Sequence, residues 1–335
     1  MTGLIKYTTL ALGLSLCGAC AAAPDMYDEL EDAEEFRGTT GGGGGSGGFS
    51  LNTHIAGYTP IPYLPNIERT EGGTTNLGVV VGHDKAQATH VWTVNGELHA
   101  LDEFHTLHKG DDLTGAEISL LVESEDGVED VTIYISSVWQ DSYGVWRYIF
   151  RDITLLEDGD DPDEATPTCV AEQGGDISAV LYEDVIVNFE TAAMELVGEQ
   201  RLTLIGCTTG ALGKVGLEAL GWGYRPYDPE VGLAHFQTAV RAARADYCGD
   251  GKSWTEDGTE LGVGDNLGVR PLPPGELEVL WDSYGAICWR GDNLRQVDVA
   301  EVACSNEYEV PECPTDGALK GLYNTSPLIT TVPPA

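Results

Sequence analysis

Six cysteines lie between residues 169 and 313 of this chain, and they constrain its fold more than any other feature of the sequence. They are Cys169, Cys207, Cys248, Cys288, Cys304 and Cys313. An even set of cysteines is typical of a disulfide-stabilised domain in an oxidising compartment. We therefore expect three disulfide bonds and an extracytoplasmic location, either in the cell envelope or in the medium.

The N-terminus resembles an export signal. Lys6 supplies a positive charge, residues 7–16 form a short apolar stretch, and small residues follow. Two kinds of processing fit these residues. Residues 19–21 (Ala-Cys-Ala) match an ordinary cleavage site, whereas residues 16–20 (Leu-Cys-Gly-Ala-Cys) resemble a bacterial lipoprotein signal that ends at a lipidated Cys20. The lipoprotein match is imperfect, because Cys17 stands where such signals prefer leucine. We assign residues 1–20 to a lipoprotein-like signal peptide.

Residues 21–74 are predicted to be an acidic, glycine-rich disordered tether. Residues 25–35 are mostly acidic, and glycines dominate residues 41–48. Neither segment has enough apolar surface to fold alone. A flexible segment directly after a lipid-modifiable cysteine favours attachment of the protein to a membrane. An ordinary disordered N-terminus is the alternative.

The charge of the chain excludes one class of partner. The sequence has 55 acidic and 17 basic residues, for a formal net charge of −38. Proteins that bind nucleic acid need a basic surface to replace the counterions of the phosphates. We therefore expect no nucleic-acid partner. No apolar run after residue 23 reaches the ~18 residues that a membrane-spanning helix requires.

Residues 75–335 are predicted to form the globular domain, with an N-terminal β half (75–157) and a second half (168–313). The fold class is α+β, mainly antiparallel β strands with two short helices. Apolar spacing predicts the helices at 210–220 and 231–247. Asn95-Gly96 is a strong hairpin signal. The predicted strands cover residues 77–81, 90–94, 118–122, 131–139, 145–155, 179–188, 201–207, 277–281 and 286–289.

One heptapeptide carries a family resemblance. Residues 245–251 read Ala-Asp-Tyr-Cys-Gly-Asp-Gly, after Trp222–Tyr227 and before Trp281–Cys288. This order resembles the ADYC domain, a family found in secreted bacterial proteins that has no established biochemical activity. The resemblance is specific over about residues 200–290 and implies architecture and location, not a reaction. The motif residues are Ala245, Asp246, Tyr247, Cys248, Gly249, Asp250 and Gly251.

Two positions depart from the family pattern. Members often carry cysteines where this chain has Val215 and Val240. Their joint loss is expected if those cysteines are disulfide partners that join the two helices, and packing of the two valines would replace the bridge.

The motif itself predicts a structural corner. Cys248 ends the second helix, and Gly249 and Gly251 permit the positive φ angles of a helix end and a tight turn. Among about fifteen possible pairings, we favour Cys248 with Cys288. Cys169–Cys207 and Cys304–Cys313 would complete that set.

Catalytic and metal-binding residues are not evident. His105 and His108 have helical spacing but lack companions, so they are a weak zinc signal. His235 with Asp246 and Asp250 is the least weak catalytic cluster, yet a continuous helix would hold the first two ~16 Å apart. Two acidic loops, 157–164 and 250–265, offer oxygen ligands for weak Ca²⁺ binding but lack the usual ligand spacing.

These observations lead to one preferred hypothesis and two alternatives. We expect an exported, lipid-anchored extracytoplasmic protein that binds an unknown extracellular ligand or protein, or acts as a scaffold, without catalysis and without a cofactor. The alternatives are a secreted hydrolase of extracellular polymers and a calcium-dependent envelope or adhesion module. Asp250, Trp254 and Tyr224 are the residues whose placement would distinguish a binding pocket beside the motif from a packed corner.

Overall fold

The computed structural model describes residues 61–332, apart from gaps at 72, 83, 125–126, 158, 170–176, 256–260, 293, 296–298, 305–307, 315–320 and 323–326. The predicted signal, Cys20 and most of the predicted tether lie outside the described residues. Within the described ranges, no helix is both long and apolar enough to cross a membrane.

The described elements confirm the predicted class: mostly antiparallel strands with two helices. The helices are α1 (Ala211–Val215) and α2 (Gly232–Arg244). The strands are β1 (Tyr63–Pro65), β2 (Thr70–Glu71), β3 (Thr74–Val81), β4 (Ala86–Val94), β5 (Glu97–Asp102), β6 (Leu107–Lys109), β7 (Glu117–Ser124), β8 (Gly127–Gln140), β9 (Trp146–Asp152), β10 (Thr166–Pro167), β11 (Ala179–Glu183), β12 (Val185–Val187), β13 (Met194–Leu196), β14 (Leu202–Cys207), β15 (Gly262–Asp265), β16 (Glu276–Asp282), β17 (Gly285–Trp289) and β18 (Leu328–Val332).

Twelve of these strands form one large sheet. Its order is β1-β14-β11-β9-β8-β7-β3-β4-β5-β6, with β10 paired to β9 and β2 paired to β3, and it curls into a half-barrel. Alternation along the strands creates its inner face. In β7, for example, Ile118 and Leu120 are buried, whereas Ser119 and Leu121 are only partly buried. The inner side chains form the first of two apolar cores.

The second core lies between the helices and a smaller sheet of order β15-β18-β16-β17. Strands β11 and β14 contribute to both cores, since Leu181 belongs to the first and Tyr182 to the second. The Tyr182 hydroxyl donates to the Leu212 carbonyl at 2.6 Å, which fixes α1 on the large sheet. Val215 and Val240, at the two positions that depart from the family pattern, are fully buried in this core.

Several element boundaries differ from the prediction, and two of these differences change the pairing of strands. The range 179–188, expected as one strand, divides at Asp184, whose φ is 54°. The Asp184 carboxylate accepts the backbone N–H groups of Gln200 (2.8 Å) and Arg201 (2.6 Å), so the chain turns there and β12 pairs with β13 instead of continuing in the large sheet. Residues 63–71, assigned to the tether, form β1 and β2, because β14 offers an edge that β1 completes.

The disulfide prediction was right for one bond and wrong for two. Cys169–Cys207 is present, but Cys248 pairs with Cys304 and Cys288 pairs with Cys313. The reason is the path of the C-terminal segment along β17. The Cys313 N–H donates to the Trp289 carbonyl at 2.8 Å, which brings Cys313 beside Cys288 and leaves Cys304 for Cys248.

Candidate functional site

The heptapeptide of residues 245–251 begins where α2 ends. The helix carries Arg241 and Arg244 in its last turn, where cations favour the negative end of the helix dipole. Ala245 then adopts a left-handed conformation, with φ 51° and ψ 41°. The Asp246 N–H donates to the Arg241 carbonyl at 3.0 Å, as in a Schellman-type helix end. The helix therefore stops at Arg244, three residues before the predicted end.

Asp246 organises the loop after the helix. Its side chain is fully buried, forms an ion pair with Arg241 and accepts the Gly251 N–H on both oxygens, at 3.1 and 3.2 Å. Burial raises the pKa of the Asp246 carboxyl, and attraction to Arg241 and Arg244 offsets only part of this rise. Both oxygens of the carboxylate therefore form bonds that stabilise the loop after the helix.

Tyr247 connects the motif to the smaller sheet. Its hydroxyl donates to Glu278 at 2.9 Å, and its ring stacks on Trp281 with the centroids 5.5 Å apart. Glu278 also accepts two hydrogen bonds from the Arg295 guanidinium, at 2.7 and 2.8 Å. Burial, followed by the nearby Glu278 carboxylate, raises the pKa of Tyr247 well above its usual value. A buried hydrogen-bonded network therefore joins the motif to β16.

Glu278 and Arg295 are site residues that were not predicted from the sequence. The available signal was a single acidic residue inside the apolar run of residues 277–281, because a charge in a buried strand requires a partner. Burial lowers the pKa of Arg295, but Glu278 and Tyr247 outweigh this effect and the net change is a rise. The partner comes from a segment outside the smaller sheet, so sequence spacing did not identify it.

Cys248, Gly249 and Gly251 fix the corner in space. Cys248 forms its disulfide with Cys304. Gly249 and Gly251 have φ angles of 65° and 85°. A Cβ on Gly249 would overlap the carbonyl of Tyr284, and one on Gly251 would overlap the carbonyl of Glu190. Glycine is therefore required at both positions, for conformation and for space.

The three residues expected to distinguish a pocket from a packed corner, Asp250, Trp254 and Tyr224, take part in packing contacts. Asp250 Oδ1 accepts the Lys252 N–H at 3.1 Å, and the Lys252 ammonium lies 3.6 Å from the centre of the Trp254 ring. Tyr224 is fully buried, and its hydroxyl donates to Asp265 at 2.6 Å. The motif thus forms a packed corner, as its glycines predicted.

The candidate histidines and acidic loops are not assembled into a site among the described residues. His108 bonds to Asp102 (Nε2–Oδ2 3.0 Å), and that bond lowers the pKa of Asp102. His235 lies in the first turn of α2 and Asp246 lies beyond its last residue, so the helix keeps them apart. Asp161 caps a 3₁₀ turn by accepting the Asp163 N–H. Among the described residues, no group of three or more His, Cys, Asp or Glu is arranged to hold a metal ion.

One cavity was not foreseen from the sequence. It is open and has a volume of about 510 Å³. It lies where three distant segments meet, and its lining residues are Thr93, Val94, Glu183, Asp184, Glu199 and Gln200. Glu183 Oε2 accepts the Asn95 N–H at 3.2 Å, and burial raises the pKa of this carboxyl. No local pattern links these segments, because only the sheet brings them together.

Comparison with known proteins supports the motif-based resemblance. The family model described as the ADYC domain matches residues 110–295, which is more than half of the chain and includes the whole heptapeptide 245–251. No curated protein and no solved structure matches the chain. With the motif, its buried partners and the family match in agreement, the chain belongs to the family of proteins that contain an ADYC domain.

Proposed function

We propose that this protein is an exported, extracytoplasmic binding or scaffold module that is attached to the cell envelope through a lipid on Cys20. The observation that carries the proposal is the set of three disulfides, which uses all six cysteines between residues 169 and 313. Disulfides of this kind persist in oxidising compartments outside the cytoplasm. The signal-like residues 1–20 provide a route to such a compartment.

The environment of the motif supports binding or scaffolding in preference to catalysis. Asp246 and Tyr247 are fully buried, and each has its polar atoms bonded to neighbouring protein groups. Cys248 is held in a disulfide, which removes it as a nucleophile. The residues that identify the family therefore stabilise a corner of the domain, and its exposed loops remain available for a partner.

Metabolic labelling with a fatty-acid probe tests the anchor. The full chain is expected to incorporate the probe and to fractionate with membranes, whereas Cys20→Ala should lose both properties. Cys17→Ala is the matched control, because it removes the other cysteine of the signal region and should keep the label. Release of unlabelled full chain into the medium would contradict the lipid anchor. Six free thiols in the mature protein would contradict the extracytoplasmic assignment.

A further inference from the structure

The β16–β17 hairpin presents an unusually exposed aromatic side chain on a rigid backbone. Tyr284, at its tip, is 83% exposed. Its N–H donates to Asp282 Oδ1 at 2.7 Å. The neighbouring Ser283 carbonyl accepts hydrogen bonds from Gln237 (2.7 Å) and Arg241 (2.9 Å), both on α2. A tip that is held this firmly loses little conformational entropy when a partner contacts the ring.

The motif corner fixes the same tip from the other side. The Ala286 N–H donates to the Tyr247 carbonyl at 2.9 Å, and Gly249 packs against the carbonyl of Tyr284. The Tyr308 hydroxyl donates to the Ala286 carbonyl at 3.2 Å, so a second tyrosine, 43% exposed, lies beside the hairpin. The buried motif therefore supports the hairpin that carries Tyr284, and Tyr308 is hydrogen-bonded to the same hairpin.

The surface continues past the motif to a third loop. Gly251 packs against the carbonyl of Glu190, which places Asp250 between the hairpin tip and that loop. Phe189, next to Glu190, is 40% exposed. We name this surface the tyrosine rim, and its residues are Phe189, Glu190, Asp250, Asp282, Tyr284 and Tyr308. It combines three exposed aromatic rings with three carboxylates on loops that contact one another.

The chemistry of the tyrosine rim favours a cationic partner. Aromatic faces attract cations, and a nearby carboxylate adds a charge-assisted hydrogen bond. The adjacent loop already shows such a contact, since the Lys252 ammonium lies over the Trp254 ring. The net charge of −38 attracts a basic partner and repels an acidic one. Arginine suits the rim better than lysine, because its guanidinium both stacks on rings and pairs with carboxylates through two hydrogen bonds.

We propose that the tyrosine rim binds an arginine-rich polypeptide segment of another protein, with Tyr284 as the aromatic anchor. The inference rests on the proposed function in one respect, since it names the partner class of the binding module. It does not depend on the lipid anchor.

Binding of a short labelled peptide of alternating Arg and Gly to the purified full chain tests this inference. Fluorescence anisotropy would be measured at physiological ionic strength, where exposed charges are screened within ~8 Å. Peptides with Lys or Glu in place of Arg serve as ligand controls. Tyr284→Ala is expected to weaken binding of the Arg peptide about tenfold. Tyr143→Ala, which removes an exposed tyrosine from a different hairpin, should leave it unchanged.

A second pair of variants tests the carboxylates. Glu190→Lys should weaken binding several-fold more than Glu129→Lys, which makes the same charge change at an exposed position on β8. This pair also decides the question if Tyr284→Ala fails to fold. The inference is overturned if the full chain does not bind the Arg peptide, or if both variants of each pair have equal effects. Such a result would leave the labelling of Cys20 unaffected, so the two proposals fail separately.

Discussion

Two hairpins of this protein turn through the same four residues, Asp-Ser-Tyr-Gly, in different surroundings. They occupy residues 141–144 between β8 and β9 and residues 282–285 between β16 and β17. In both turns, the aspartate Oδ1 accepts the N–H of the tyrosine, at 2.9 Å for Tyr143 and 2.7 Å for Tyr284. The hydrogen bond from the tyrosine N–H to the aspartate is therefore a local property of the four residues.

The groups that complete each turn are different. The first turn is completed by its own residues and the two that flank it: the Asp141 N–H donates to the Val145 carbonyl at 2.9 Å, and the Gln140 amide donates to the Gly144 carbonyl at 2.8 Å. The second turn is held by distant residues as well: the Ser283 carbonyl accepts hydrogen bonds from Gln237 and Arg241 on α2, and the Ala286 N–H donates to the Tyr247 carbonyl of the motif. Tyr143 is 50% exposed and Tyr284 83%. The comparison shows that one tetrapeptide forms a self-sufficient turn in one place and a tertiary contact in another.

The largest expected loss of stability comes from removing a disulfide, and the effect of that removal on amide exchange distinguishes the two hairpins. Replacing Cys248 and Cys304 together with Ala should cost about 4 kcal/mol of unfolding free energy, as should replacing Cys169 and Cys207, because the two bonds close loops of comparable length. Only the first pair of substitutions should speed amide exchange at Ala286, beside the second hairpin. Hydrogen exchange read by mass spectrometry would check this, and equal acceleration at Ala286 by both variants would contradict it.

The next largest effect is the difference in stability loss when the glycine of each turn is replaced with alanine. Gly285 has a φ of 136°, and a Cβ there would lie 2.8 Å from the Gly249 nitrogen and the Tyr247 oxygen. Gly285→Ala should cost about 3 kcal/mol. Gly144→Ala, where the nearest atom is a flexible Gln140 side chain at 3.8 Å, should cost about 1 kcal/mol. Urea unfolding of both variants measures the difference, and equal costs would show that the motif corner yields.

For the aspartates, we expect the larger loss of stability in the first turn, the reverse of the order expected for the glycines. Asp141 Oδ1 accepts two N–H groups, from Tyr143 and Val145, and its other oxygen lies 3.9 Å from Arg147. Asp141→Ala should therefore cost about 2 kcal/mol and Asp282→Ala about 1 kcal/mol in the same urea experiment. A larger loss for Asp282→Ala would mean that the second turn depends on its aspartate more than on α2.

The smallest effect concerns pH. Burial and then Asp282 raise the pKa of Tyr308. Because the unfolded chain then loses this proton first, stability falls as the pH rises through the usual tyrosine pKa of ~10. Asp282→Asn should move the pKa of Tyr308 back toward that value, and Asp141→Asn should not. Ultraviolet absorbance of the phenolate follows the titration, and identical curves for the two variants would contradict the assignment.

The sequence predicted most of the longer elements of the fold and missed several short strands. Alternating or continuous apolar residues identified β7, β8, β14 and β16, and helical spacing identified α2. It failed where a distant group decides the outcome. Asp184 breaks a strand-like run because residues 200 and 201 present their N–H groups to it. β18 was missed because no local pattern indicates that β15 and β16 need a strand between them.

The candidate site likewise has features that the sequence predicted and features that depend on distant segments. The motif glycines predicted a tight corner, and the even cysteine count predicted three disulfides, because positive φ angles and thiol pairing leave local and compositional signals. The residues that contact the motif have no such local signal in the sequence. Cys304, Arg295 and Tyr284 are brought to residues 246–249 by chain segments that are distant in sequence.

The sequence by itself determined the acidic charge, the class of fold, the family motif and the aspartate–tyrosine hydrogen bond of Asp-Ser-Tyr-Gly, since each depends on composition or on residues within a few positions of one another. Only the tertiary structure decided which cysteines pair, that Glu278 and Arg295 satisfy Tyr247, and that one of two turns with the same sequence is hydrogen-bonded to α2. Pairing of distant groups depends on where packing brings the chain, and that position is a property of the whole core.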